Sequence, residues 1–374
     1  MKKKVLFIAV ATLIFWACSS DGDNSDPDPI DPIEFDRKAM LVNITDNIII
    51  PAYQDFDLKI DAFKVSFEAF STNPTVTALN TVREGWFTAY KTWQHVSMFE
   101  IGPAETLDFR LNMNIYPADD EKIEGYISSG DYNLALASNR DAKGFPALDY
   151  LFYGLADTDE AIIEVYAGED GSKYLAYVAA LLNDMETMTE TVLSEWENGY
   201  GATFVANDGA SATASVDRFV NDYIFYFEKF LRAGKMGIPL GVFSGTPSVG
   251  HLEAFYSDGN SKTLFLEGLL AVQNLFNGQY YGTQGEGPGL ASYLDVLNSV
   301  KDGEDLAQAI NDQINVARTA VQALGNFKDE IVNNTPPENM LNAYDEVQRI
   351  VPLLKVDMVS AMNIHIDFVD ADGD

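Results

Sequence analysis

Between residues 53 and 70 the large apolar side chains fall at steps of three and four: Tyr53, Phe56, Ile60, Phe63, Phe67 and Phe70. On a helix of 3.6 residues per turn this spacing draws one continuous stripe; on a strand it would scatter over both faces. The spacing returns in Val76, Leu79, Val82, Trp86, Tyr90 and Trp93, and in Tyr174, Tyr177, Leu181, Met185, Met188, Val192 and Trp196. It returns again in Phe219, Tyr223, Tyr226 and Phe230, in Leu306, Ile310, Ile314, Ala317, Val321 and Leu324, and in Met340, Tyr344, Val347, Val351, Leu354 and Met358. No convincing period-2 ladder interrupts the series. The expected fold class is therefore all-α, and stripes this wide and aromatic suit antiparallel helical bundles. Asn73-Pro74 is expected to open the second helix, as N-cap and first helical residue. Thr335-Pro336-Pro337-Glu338 reads as a capping box for the last helix, which Pro352 should kink.

The chain has 374 residues, too many for one simple core and enough for two. The expected division is an N-terminal bundle over 37–205 and a C-terminal bundle over 206–368, followed by an acidic tail at 369–374. The small, polar stretch 198–215 is the candidate junction. The 235–250 stretch, KMGIPLGVFSGTPSVG, is irregular yet carries Ile238, Leu240, Val242 and Phe243. A loop this apolar is expected to pack and to line a cleft. The 277–289 loop, NGQYYGTQGEGPG, is expected to be more exposed.

The first 17 residues read as a lipoprotein signal peptide. Lys2, Lys3 and Lys4 precede an apolar run of 12 residues, Val5 to Trp16. That run is short for a membrane-spanning helix, which needs about 20 residues, and right for a signal-peptide core. Ala17-Cys18 resembles a bacterial lipobox, so Cys18 is the expected lipidation site. It is also the only cysteine in the chain, which leaves none for a disulfide, a thiolate ligand or a nucleophile. Residues 18–36 are acidic, rich in proline and poor in large apolar groups, and read as a disordered tether. An acidic tract after a lipidated cysteine resembles a surface-export signal, so the expected address is the outer membrane, facing either the periplasm or the outside.

The formal charge is −33. This argues against nucleic acid, whose phosphates need Lys and Arg partners, and favours hard cations held by oxygen ligands if any metal binds. His95, His251 and His365 are the three histidines. None belongs to an H-E-x-x-H motif or an i,i+4 pair, and neither Glu100 after His95 nor Glu253 after His251 shares its helical face. No nucleophile elbow, P-loop, dinucleotide fingerprint or EF-hand spacing is present.

Several segments, in order, resemble one known family. VREGWFTAYKTWQHVSMFEIGPAE (82–105) resembles the W-x6-W-Q…GP segment of imelysin-like proteins, and NIYPADDEKIEGYI (114–127) the segment after it. RDAKGFPALDYLFYG (140–154) matches the family's G-x-H-x-x-E region in frame, and 235–278 is similar to its C-terminal half. The resemblance covers about residues 37 to 365. It implies two packed bundles with a cleft between them near the motif, a cell-envelope setting, and a link to iron or haem uptake; a metallopeptidase activity is a weaker implication. The departures are specific. Pro146 replaces the motif histidine and Asp149 the motif glutamate, and Phe255 stands where relatives carry an arginine before Tyr256-Ser257. Pro146 is expected to start a helix with Asp149 in its first turn, favoured by the helix dipole; a ligand role for Asp149 is the other reading.

Two functions are carried forward. The first is a lipid-anchored binding module for an envelope partner or an iron, haem or divalent-cation ligand. Trp86, Trp93, Glu100, Arg140, Asp149, Ser244, His251 and Glu253 are its candidate cleft residues, with no catalytic residue assigned. The alternative is a metallopeptidase with a non-local cluster drawn from His95, His251 and Glu253. Trp86 and Trp93 also fit a purely structural, core role.

Overall fold

The computed structural model describes residues 35–257, 259–301 and 303–367. The expected leader, lipidation site Cys18, tether and acidic tail lie outside these residues. The first stripe becomes helix α1 (Ile50–Thr72), and all six of its aromatic and aliphatic members are buried. Helix α2 (Val76–Val96) returns along α1 after a three-residue link, and α3 (Gly171–Glu195) covers another side of α1. In the second half, α4 (Ser215–Phe225) runs on as a π-helical stretch, Tyr226–Gly237, that packs against α5 (Asn260–Phe276). Helix α6 (Leu306–Gln322) lies between α5 and α7 (Glu338–Gln348). Helix α2 meets α5, and this contact joins the two sets of helices. The buried apolar residues form one cluster from Met40 to Ile364, and residues 35–367 belong to one compact unit. The all-α class holds; among the described residues the only strands are a two-residue pair, Val300–Lys301 against Glu304–Asp305.

Four local expectations change. The N-cap of α2 is Thr75, whose hydroxyl accepts from the Ala78 N–H at 3.2 Å; Pro74 holds Asn73 out of the helix and delays its start. No capping box opens α7, because Pro337 occupies the N-cap and brings no side-chain acceptor. Of the four apolar residues named in the 235–250 stretch only Leu240 is buried, while Ile238, Val242 and Phe243 are 42, 40 and 48% exposed. The helix continues through Gly237 to Leu240 and ends at Gly241, which has φ +74, so the first part of the stretch is helix and the exposed loop starts only after it.

The 277–289 loop goes the other way. Asn43 donates to the Gly278 and Pro288 carbonyls, both at 3.0 Å, the Tyr281 N–H donates to the Asn47 carbonyl at 2.8 Å, and the Tyr281 hydroxyl donates to Asp55 at 2.7 Å. This loop is tied to the first helices of the chain. Finally, Pro352 stands where a short α-helical turn, Ile350–Pro352, passes into a π-helical one, Leu353–Met358.

Candidate functional site

The frame of the G-x-H-x-x-E region is set by its glycine. Gly144 has φ +70, and a Cβ there would lie 2.1 Å from the Met113 carbonyl oxygen. Only glycine suits both demands. The chain enters the helix at this point, two residues earlier than Pro146 alone would allow. Phe145 is helical despite the following proline, because its ring stacks on Tyr90 at 4.3 Å and its carbonyl accepts from Trp86 Nε1 at 3.2 Å. Pro146 is tolerated in the first turn, where an N–H would have no helical partner. Asp149 is therefore not in the first turn. It is the sixth residue of Gly144–Asp149, where the helix passes into the π turn Tyr150–Gly154, and the expected dipole role does not apply.

What holds Asp149 comes from the other half of the chain. The backbone turns at Ala254, which has φ +54, and presents the Tyr256 N–H to Asp149 Oδ2 at 2.7 Å. The carboxyl is 1% exposed, and Oδ1 has no hydrogen-bond partner. Burial pushes its pKa up to about 7, against the opposing pull of the Tyr256 N–H and of Ser257. In front of Asp149 lies a pocket of about 150 Å³, walled by Tyr116, Pro117 and Pro146 from one side and by Leu252, Phe255 and Tyr256 from the other. The Tyr256 hydroxyl reaches Asp120 at 3.3 Å.

Glu253 serves a deeper layer. It is 1% exposed and accepts from Asn114 Nδ2 at 2.8 Å and Gln94 Nε2 at 3.3 Å through one oxygen. The other oxygen is bonded by Lys235, itself buried. Burial lowers the Lys235 pKa and Glu253 opposes this. Tyr90 donates to Asn114 at 2.6 Å, and the pKa values of Tyr90 and Tyr116 are raised, first by burial and then by Glu253. Gln94 Oε1 is buried without a partner.

The remaining candidates are spread out. Trp86 and Trp93 are fully buried core residues. Glu100 belongs to a separate centre, where it accepts from the Arg110 N–H at 2.8 Å and its own N–H donates to Asp222 at 2.7 Å. Arg110 bonds both Asp222 oxygens at 3.0 and 3.2 Å, and burial raises Glu100 to about 7. Arg140 pairs with Asp108 at 2.6 Å, and Ser244 sits in an exposed loop, donating to the Thr246 carbonyl. His251 Nδ1 is 2.7 Å from Ser248 Oγ, and His95 Nε2 is 3.3 Å from Glu267 on α5. His365 offers its carbonyl to Asn221. Among the described residues no three His, Cys, Asp or Glu side chains are placed to hold a metal ion. The structure thus brings Asp149 and Glu253 to one place, with His251 on the same segment, and leaves Glu100, Arg140 and Ser244 elsewhere. Lys235, Arg110, Asn114 and Asp222 carry no signal in the sequence, since nothing local marks a charged or amide side chain as buried.

The Imelysin family model matches residues 49–354. A curated relative, iron-regulated protein A of Synechococcus elongatus, is 21% identical over 126 residues, which is 32% of this chain and 34% of that protein. The chain thus spans about a third of the length of that relative. A crystal structure described as an iron-regulated protein A precursor from Parabacteroides distasonis superposes with TM-score 0.69 at 15% identity, covering 86% of this chain and 95% of that one. An imelysin-like protein from Psychrobacter arcticum gives 0.67 at 17%, covering 89% and 97%. At such identities the two structures show a shared fold. Since the family model matches most of the chain, the chain belongs to the imelysin family.

Proposed function

We propose that this protein is a lipid-anchored binding module of the cell envelope, attached to the outer membrane through Cys18, that holds an iron-related ligand rather than cleaving peptides. The observation that carries the binding reading is Asp149: a carboxyl 1% exposed, with one oxygen unpartnered, at the back of a pocket built from both halves of the chain. Leaving a buried polar atom unpaired costs about 1–3 kcal/mol. A ligand that donates to Oδ1, or a cation that ionises the carboxyl, would offset that cost. The iron-related class rests on the names of the relatives, which are called iron-regulated protein A.

The donor set fits a hard cation only in part. Asp149 supplies oxygen, but Pro146 supplies no side-chain ligand. A bare ion wants about six such ligands, so the fitting cargo is one that brings oxygen ligands of its own, such as a chelated iron. Small-molecule sites usually exceed about 300 Å³, so this pocket takes only part of such a cargo. A zinc peptidase needs three protein ligands and an open position. His251 is instead engaged by Ser248, and His95 by Glu267, which supports binding over hydrolysis.

Calorimetry on the full-length chain with Fe(III)-citrate, haem, Zn(II) and Ca(II), alongside Asp149→Ala, tests this. One-to-one binding of an iron species that the variant loses is the expected result. Binding of none of them, or unchanged binding by the variant, removes the Asp149 pocket as the site. Peptide cleavage that depends on added metal would restore the peptidase alternative.

A further inference from the structure

A second cleft, of about 610 Å³, lies apart from Asp149, between the 101–107 segment and the wall that runs from the end of α3 to residue 207. Its size falls within the usual range for small-molecule sites, about 300–1,000 Å³. The wall is formed by α3 and the turn Trp196–Tyr200, which kinks at extended Gly199, and by the helical turn Gly201–Ala206 that follows. Gly102 fixes the opposite side. It has φ +57, and a Cβ there would lie 2.1 Å from the Tyr200 ring, so the 101–107 segment is seated against this tyrosine. Tyr200 and Phe204 give the cleft an apolar floor.

The polar lining has one chemical bias. The hydroxyls of Thr106, Thr191 and Thr203 each donate to the carbonyl four residues back, at 2.9, 2.7 and 3.2 Å. Asn207 likewise spends its Nδ2 on the Thr213 carbonyl at 2.9 Å. The threonine hydroxyls, with their one hydrogen used, offer oxygen lone pairs, as do Asn207 Oδ1 and the Glu195 carboxylate, and these acceptors stand beside fewer donors, the second Asn207 N–H, the Ser215 hydroxyl and Arg218. Such a wall suits a ligand whose groups donate and also accept, as hydroxyls do. The one cation in the lining, Arg218, is paired with Glu105 at 2.6 Å, so a polyanion finds no free counter-charge, and the chain's −33 charge repels it. The walls are helical where they are regular, so their main chain offers little to an extended peptide.

We propose that this cleft binds a neutral oligosaccharide, with sugar hydroxyls donating to the threonine and asparagine oxygens and C–H faces resting on Tyr200 and Phe204. A glycan fits both an acceptor-rich wall and an apolar floor. The test is calorimetry of the full-length chain with maltohexaose, cellohexaose and chitohexaose, and with cadaverine as a cationic donor. Saturable binding of at least one oligosaccharide, with Kd below about 1 mM, is expected. Thr191 and Thr203 are both exposed, so Thr203→Arg and Thr191→Arg fill the cleft without disturbing the core. Each should weaken binding about tenfold or more, a difference of about 1.4 kcal/mol. Thr187→Arg, one turn away on the same helix and exposed, should leave it unchanged. Binding of no oligosaccharide, binding of cadaverine alone, or equal loss in Thr187→Arg would overturn the assignment.

Discussion

Asp149 and Glu253 are both carboxylates with 1% exposure, and residues 253–257 supply Glu253 itself and the N–H that holds Asp149. They are nonetheless treated in opposite ways. Glu253 has both oxygens occupied, with Lys235, Asn114 and Gln94 as partners. Asp149 has one oxygen held by a backbone N–H and the other without a partner, and no cation is bonded to it. A fully partnered buried acid specifies how helices meet. A half-partnered one is a cost that a ligand can relieve. Burial alone does not mark a functional acid; the state of each of its oxygens does.

The widest test of this difference is to strip the partner from the paired acid. Lys235→Met should leave Glu253 buried and uncompensated and cost about 3–5 kcal/mol, read by chemical denaturation. Lys235→Met with Glu253→Gln should recover most of the loss. A single variant as stable as the parent would mean that Glu253 is not held as described. Gly144→Ala comes next, since the new Cβ would meet the Met113 carbonyl and the left-handed φ is unfavourable for alanine. A loss of about 1–3 kcal/mol is expected, together with loss of any ligand that needs Asp149 in place.

The effect confined to one pH range is the most diagnostic. The Asp149 pKa is raised from the ordinary 3.8 to about 7, so the folded state holds this proton more tightly than the unfolded chain does. Stability from this group is present below about pH 4 and is lost as pH rises toward 7. Asp149→Asn should therefore gain Tm relative to the parent between pH 5 and pH 8. A Tm difference independent of pH would mean that Asp149 is ionised throughout.

The fold was largely legible in the sequence, because a stripe such as Tyr53 to Phe70 has only one good burial solution. The site was legible only as a frame. The G-x-x-x-x-D spacing located Asp149, but its unpaired oxygen depends on a backbone turn at Ala254, 105 positions away, whose conformation no local pattern announces. Lys235 was hidden in the same way: it sits in a stretch that reads as an irregular loop, and although Glu253 is a candidate cleft residue in the sequence, nothing there pairs it with a lysine 18 positions earlier. Trp86 and Trp93, in contrast, proved to be core, as a seven-residue spacing on one helix face allows.

The ties of the 277–289 loop carry a consequence for how the chain is made. Asn43 is bonded to a carbonyl 245 positions downstream, Tyr281 to Asp55 across 226, and Arg37 to Tyr293 across 256. During synthesis the first helices emerge long before these partners exist. Contacts of such sequence separation slow folding. Residues 37–55 are thus made first and wait longest for these polar partners, whereas the aromatic stripes of the first half close on one another, Phe56 on Trp93 and Phe63 on Phe152, well before residue 293 is made.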